Sequence, residues 1–257
     1  MNFPKLRLPL AGMAMAATLL ASVPAQQAAA LEEGDRAEIE AIIRAYLLEN
    51  PEVMIEVQQA LQKKQAEEQA EAQAKALVEM KDAIYSSKHQ IEIGDKDAPI
   101  TIVEFYDYNC GYCQRAMEDM NRLVDGEANV RFILKEFPVL GPPSVDAHKV
   151  SLAFSQLMPE KAAEFHRALL GREGRKDGDI AMQLAVALGA DEAAMKEEID
   201  KPYITEAIKE VYEMADALGI SGTPSYVVGD EVVFGAVGFD QLSRKVAAVQ
   251  ECGKATC

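Results

Sequence analysis

The sequence predicts an α/β domain with helices inserted between its two halves and a helical arm in front. Three observations carry that prediction. Ile100 to Tyr106 is β-branched and aromatic, Gly111 to about Val124 can form a helix, and Val130 to Phe137 supplies another strand-like run; a strand, a helix and a parallel strand in this order make a right-handed crossover unit. Near the C-terminus, Ser225 to Val228 and Glu231 to Phe234 flank Gly229-Asp230, a tight-turn signal for an antiparallel hairpin, and Phe239 to Gln250 closes the chain as a helix. Glu52 to Ile93 contains neither Gly nor Pro, as a helical arm requires.

Taken in order, residues 1–30 read as an export signal. Lys5 and Arg7 precede an apolar run from Leu8 to Leu20, and small residues ending in Ala28-Ala29-Ala30 follow, with cleavage expected after Ala25 or Ala30. The run is short of the ~20 apolar residues that a membrane span needs. Ile39, Ile42, Ile43, Tyr46 and Leu47 then line one helical face, and that helix should stop near Asn50 because Pro51 disfavours helix at the residue before it. Val53, Val57 and Leu61 start a second stripe, and from Gln58 to Ala76 only Ala, Glu, Lys and Gln occur apart from Leu61. Such a thin arm cannot bury its own apolar faces. Residues 31–61 are therefore expected to be an oligomerisation element, with contacts through residues 35–61. Residues 62–93 should be a helical stalk or linker, mostly solvated over 62–87, and residues 94–257 the catalytic domain. Pro159, the Gly171 to Gly178 loop, Gly189 before Asp191, and Pro202 divide residues 144–218 into several helices, the expected insertion.

The chain of 257 residues has a formal charge of −16. Loss of Lys5 and Arg7 with the signal leaves 24 basic against 42 acidic residues, about −18. This argues against a nucleic-acid partner, which requires clustered Lys and Arg. The three histidines, His89, His148 and His166, have no close ligand spacing and are expected to be solvated surface groups.

All four cysteines lie beyond the signal, and the short spacings favour local pairing of Cys110 with Cys113 and of Cys252 with Cys257. A thiol attacks a disulfide only as the thiolate, so a redox catalyst must lower the pKa of one accessible cysteine. Cys110, behind a strand and ahead of a helix, would sit at a helix N-terminus, where free N–H groups and the helix dipole favour negative charge. Cys113, one turn further in, should be more buried and resolve the mixed disulfide. Gly111 and Tyr112 add no cation between them, so the acidity of Cys110 should be moderate. The alternative of four thiolates holding zinc joins pairs with 138 residues between them and would silence a redox couple. Redox use is favoured and no metal or cofactor is expected, with copper on the reduced thiols as a minor alternative. Glu104, six residues before Cys110 in an otherwise largely apolar strand, would have a raised pKa beneath the thiols and could exchange a proton with Cys113. Cys252 and Cys257 are expected to form a structural disulfide that ties down the tail.

The stretches "TIVEFYDYNCGYC" (101–113), "KEFPVLGPPS" (135–144) and "GISGTPSYVVGD" (219–230) together resemble the DsbA-like branch of the thioredoxin superfamily, over residues 94 to about 250. The resemblance implies a thioredoxin fold with an inserted helical domain and thiol-disulfide exchange at Cys110 and Cys113. It also implies a cis peptide bond at Thr223-Pro224 beside the site, where Thr223, Pro224, Gly111 and Tyr112 would contact substrate, and an acidic residue at the place of Glu104. Gly111-Tyr112 with Thr223 before the proline, together with the N-terminal arm, looks most like disulfide isomerases similar to suppressor-of-copper-sensitivity protein C. The implied protein is periplasmic, acts on cysteine-containing exported proteins, meets a membrane thiol reductase or oxidase, and forms a homo-oligomer. A monomeric-type dithiol oxidase or a copper-binding chaperone are the alternatives.

Overall fold

The structure, a computed structural model, describes residues 33–126 and 130–257; the expected export signal lies outside them. The described chain falls into two units, residues 33–59 and 60–257. In the first, α1 (Glu33–Glu49) ends where expected: both the backbone N–H and the side-chain amide of Asn50 donate to the Tyr46 carbonyl, at 2.8 and 2.9 Å, and Pro51 follows. Its Ile42, Ile43, Tyr46 and Leu48 are all more than half exposed. Next, α2 (Glu52–Glu79) begins with Met54, Ile55 and Val57 equally exposed.

In the larger unit, β2 (Ile100–Tyr106) is the central strand. It pairs in parallel with β3 (Val130–Glu136) and antiparallel with β4 (Ser225–Val228), so Glu104 stands opposite Leu134 on one side and Tyr226 on the other. The strand β5 (Glu231–Phe234) completes the expected hairpin. Gly229 turns it at φ 58°, where a Cβ would be strained and would also come within 2.9 Å of Val249. The expectation of a linker running to residue 93 is corrected by β1 (Ile91–Ile93), which pairs antiparallel with β3 and forms the other sheet edge. Three residues of alternating burial are too short a period to stand out from the sequence. The resulting order is β1-β3-β2-β4-β5.

Strand alternation sends Val103 and Phe105 to one face of the sheet and Ile102, Glu104 and Tyr106 to the other. On the first face, α3 (Lys81–Ser86) and the end of α2 pack with α9 (Pro202–Ala217): Ala76, Ile84, Val211, Met214 and Ala215 are buried there. This corrects the solvated stalk. Gln73 donates to the Leu218 carbonyl at 3.0 Å, and buried Lys135 donates to the Ala83 carbonyl and to Gln90, both at 2.8 Å, so the second half of the stalk is part of the domain. Burial pulls the Lys135 ammonium down to about 8, which the nearby carboxylates of Glu210 and Glu92 do not fully offset. The polar composition of residues 62–76 concealed the turn to burial at its end, where Ala76, followed by Leu77, Met80 and Ile84, joins the cluster on this face of the sheet. The other face is covered by α4 (Gly111–Val124) and α10 (Phe239–Cys252). Beside them lie α5 (Pro142–Leu157), α6 (Ala162–Leu170), α7 (Gly178–Ala187) and α8 (Glu192–Ile199), which make the helical insertion. The last helix of the insertion expected at 144–218, α9, serves both parts: Ile204, Ala207 and Ile208 join the cluster that holds the insertion helices, and Val211, Met214 and Ala215 join the one on the first face of the sheet.

Candidate active site

The turn after β2 brings the chemistry together. Asp107, fully buried, accepts from the Asn109 amide (2.7 Å), the Ser144 hydroxyl (2.7 Å) and the Leu140 amide (2.9 Å), and its carbonyl accepts from the Cys110 amide at 3.0 Å. Cys110 is thereby delivered to the N-cap of α4 in an extended conformation, φ −81° and ψ 111°. Its sulfur accepts from the Cys113 amide at 3.4 Å, the role that a Ser or Asp side chain has at an ordinary cap.

The two thiols are in opposite electrostatic situations. Hydrogen bonding from the Cys113 thiol outweighs partial burial and takes the Cys110 thiol from 9.0 down to about 5; the Thr223 side chain and the amides of Cys113 and Tyr112 add to the effect. The expected sources, the helix end and neighbouring groups, are both present, and the neighbouring thiol contributes most. Cys110 keeps 6 % exposure, whereas Cys113 has none. Burial pushes the Cys113 thiol far up, helped by its hydrogen bond to Cys110 and by the charge of Glu104.

Glu104 is 3 % exposed on the face of β2 covered by α4. Burial first, then the charges of Cys110 and Asp119, raise its carboxyl from 4.5 to about 8. Across the site, the Thr223-Pro224 peptide is cis, and the Thr223 carbonyl lies 3.2 Å from Cys110 Sγ, accepting from the thiol when it is protonated. Ser225 Oγ donating to the Gly222 carbonyl (2.8 Å) and the Gly235 amide donating to the Pro224 carbonyl (2.9 Å) hold this segment. Tyr112 is 61 % exposed, with the Arg115 guanidinium 4.3 Å from its ring centre, and Gly111 has open space where a side chain would stand. The candidate residues Glu104, Cys110, Gly111, Tyr112, Cys113, Thr223 and Pro224 thus converge on one end of the sheet. Cys252 and Cys257 do not join them: Cys252, the last residue of α10, is bonded to Cys257 on the tail that follows.

Sequence reasoning placed the histidines on the surface, and two of them are inside. His148 and His166 are at most 1 % exposed, and only His89, stacked on Tyr203 at 4.5 Å, is partly accessible. Burial takes His166 down to about 3, so it is neutral against the ring of Tyr106. His148 bonds to Glu136, and Ser151 donates to the same carboxylate at 2.6 Å. Also missed was Asn109, whose side chain donates to the Ser144 hydroxyl and the Lys176 carbonyl and accepts from the Lys176 amide. A signal existed for some of these residues. Ala147, His148, Ser151 and Leu152 recur at helical spacing on the buried face of α5, and a histidine on such a face needs a buried partner.

Comparison with known proteins matches this arrangement. Residues 101–247 match the DSBA-like thioredoxin domain, and residues 35–68 match the N-terminal domain of the copper resistance protein ScsC. A thioredoxin-like oxidoreductase from Silicibacter pomeroyi is 34 % identical with a TM-score of 0.63, covering 66 % of this chain and 98 % of that one. Proteus mirabilis ScsC in a transitional conformation is 31 % identical with a TM-score of 0.62, covering 86 % of this chain and 97 % of the other. Among curated relatives, the Na(+)/H(+) antiporter NhaA 1 of Salinispora arenicola is 26 % identical over 60 % of this chain, but this chain spans only about a quarter of that protein's length. Among the described residues no helix is long and apolar enough to cross a membrane. With a family match over more than half its length, laid on a helix-capping cysteine, its buried companion and a cis proline opposite, the chain belongs to the DSBA-like thioredoxin family.

Proposed function

We propose that this protein is an exported, oligomeric disulfide isomerase whose redox couple is Cys110 and Cys113. The observation that carries the redox part of this reading is the contrast between the two sulfurs: Cys110 caps α4 and accepts from the Cys113 amide, whereas Cys113 is fully buried. The Cys110 thiolate attacks a substrate disulfide: a Cys110–substrate S–S bond forms, the substrate S–S bond breaks, and the second substrate sulfur leaves as thiolate. In isomerisation that thiolate attacks another substrate disulfide, and the thiolate released there attacks the mixed disulfide and restores the Cys110 thiolate, with no net electron transfer. In the escape route Cys113 attacks Cys110, closing the Cys110–Cys113 disulfide and releasing reduced substrate. A membrane thiol reductase then returns two electrons to the couple.

Glu104 is suited to the escape route. The Cys110 charge is part of what raises its carboxyl, and that charge disappears when the mixed disulfide forms. The carboxyl then ionises more readily, although burial still holds it up, and as a carboxylate it can accept the proton at the step where the Cys113 thiol must lose it. Thr223 and Pro224 would pair with an extended substrate backbone beside Cys110, and Gly111 and Tyr112 would border it.

Isomerase over oxidase rests on the arm. The exposed apolar residues of α1 and the start of α2 lie within the segment that matches the ScsC N-terminal domain, and an unpartnered face of this kind fits self-association through residues 35–61. Several sites around a shared space would favour shuffling and hinder a membrane oxidase. Refolding of scrambled ribonuclease tests the reading: reactivation by an oligomer is expected, whereas no reactivation together with fast oxidation of reduced ribonuclease would overturn it. One observation favours a second reading as dithiol oxidase, since an acidic Cys110 stabilises the reduced form and makes the disulfide more oxidising. A monomer in light scattering would favour that reading.

A further inference from the structure

The turn that presents Cys110 is pinned at three successive residues, all to polar groups outside its own strand and helix. Asp107 and Asn109 take Ser144 and the Lys176 backbone. Between them, the Tyr108 amide donates to Nε2 of His148 at 3.2 Å, across 40 residues of sequence. An acceptor Nε2 carries no proton, so in the neutral ring the proton is on Nδ1, where it faces the Glu136 carboxylate. The remaining donors run the same way. Tyr106 OH donates to Tyr108 OH (3.1 Å), which pairs with the Ser151 hydroxyl (2.7 Å), and Ser151 donates to Glu136 (2.6 Å). As a carboxylate Glu136 only accepts, so the direction of the whole network is fixed from that one residue.

We propose that His148 is a positioning residue for the nucleophile: oriented by Glu136, it holds the Tyr108 amide and with it the strand-to-helix turn that carries Cys110. The inference rests on the redox reading of Cys110 and assigns the helical insertion a part in it. The Cys110 sulfur takes its acidity from short contacts with Cys113, and its amide N–H is 3.0 Å from the Asp107 carbonyl. A turn released at Tyr108 can move both Asp107 and Cys110 relative to α4. Without an acceptor, the Tyr108 amide would be buried and unsatisfied, which favours such a movement. Packing alone does not call for a histidine, because its ring contacts with Tyr106 and Tyr108, at 5.2 and 4.7 Å between centres, are of a kind that a phenyl ring also makes.

Two measurements test this. In the whole protein, ¹⁵N spectra of the His148 ring near pH 7 should show a protonated Nδ1 and a bare Nε2; a proton on Nε2 would overturn the proposal without any substitution. Cys110 alkylation is then followed against pH in wild type, His148→Phe and His148→Gln, each in a Cys252→Ser/Cys257→Ser background and checked for native circular dichroism. His148→Phe should raise the midpoint by about one unit, roughly a fivefold slower alkylation at pH 5. His148→Gln, whose amide oxygen can accept from Tyr108, should recover at least half of that shift. Equal midpoints in all three proteins, or equal shifts in both variants, would overturn the positioning role. A wild-type midpoint near that of a free thiol, about 8.5, would instead remove the redox reading beneath it.

Discussion

The two cysteine pairs of this chain have the same side chains at similar spacing and opposite surroundings. Cys110 caps the N-terminus of α4 and Cys113 lies inside its first turn, both in the core beside Glu104. Cys252 is the last residue of α10, and Cys257 hangs on the exposed tail five residues on, bonded back to it. At an N-terminus unpaired N–H groups meet the sulfur and favour the thiolate. At a C-terminus the groups on offer are carbonyls: Lys254 and Ala248 present theirs to the tail sulfurs, which does nothing for a negative charge. Helix polarity and burial, more than the Cys-x-x-Cys spacing, therefore separate a pair suited to exchange from one suited to holding the chain. The tail is indeed held, with the Ala255 amide on Asp230 (2.9 Å) and the Thr256 hydroxyl on Glu231 (3.2 Å).

The sharpest way to break this comparison is to remove one sulfur at a time. Cys110→Ser is expected to abolish exchange with a model disulfide, a loss of at least about a thousandfold, while Cys113→Ser accumulates mixed disulfides visible on non-reducing gels. Cys252→Ser with Cys257→Ser should leave exchange within about twofold of wild type. Activity lost with the tail pair would place the two pairs in one relay. Next in size is Glu104→Gln. Without an acceptor for the Cys113 proton, resolution of a trapped mixed disulfide at pH 7 should slow by roughly tenfold to a hundredfold, measured by stopped-flow with a fluorescent peptide, with the initial attack by Cys110 little changed.

The same carboxyl gives a stability prediction. Its folded pKa of about 8 lies above its ordinary 4.5, so the folded state holds its proton more tightly. That contribution is complete below pH 4.5 and is lost as pH rises through 8. Cys110 runs the other way. Its folded pKa of about 5 lies below 9.0, so its stabilisation is complete above pH 9 and lost as pH falls through 5. Urea unfolding of the reduced protein should therefore show Glu104→Gln gaining on wild type between pH 5 and pH 8.5, by roughly 2–4 kcal/mol. No gain would mean that the carboxyl titrates as an ordinary one. Smallest is the tail: opening the Cys252–Cys257 loop should cost about 2 kcal/mol or less, since so short a loop constrains the unfolded chain little.

Much of this site is legible in the chain itself because its signals are local. Strand propensity ending at Tyr106, helix propensity from Gly111 and a cysteine at the join place Cys110 at a cap with no knowledge of the rest of the molecule. Glu104 stands out as an acid in an apolar strand. His148 and Glu136 do not, because each is ordinary in its own neighbourhood and becomes significant only when α5 lies across the end of β3. The polar stalk misleads for the same reason. Ala76 and Ile84 lie among solvated neighbours in sequence and against Val103 and Phe105 in space.

By itself the sequence determined most of the strands and helices, which sulfur sits at a helix end, and that the arm carries apolar faces it cannot bury, because propensity, capping and periodicity act over a few residues. Only the tertiary structure decided how acidic Cys110 is, how far burial lifts Glu104 and Cys113, and which groups fix the turn. Those quantities depend on desolvation and on partners tens to more than a hundred residues away, such as Thr223 for Cys110 and His148 for Tyr108, and burial exists only once the chain has closed around them.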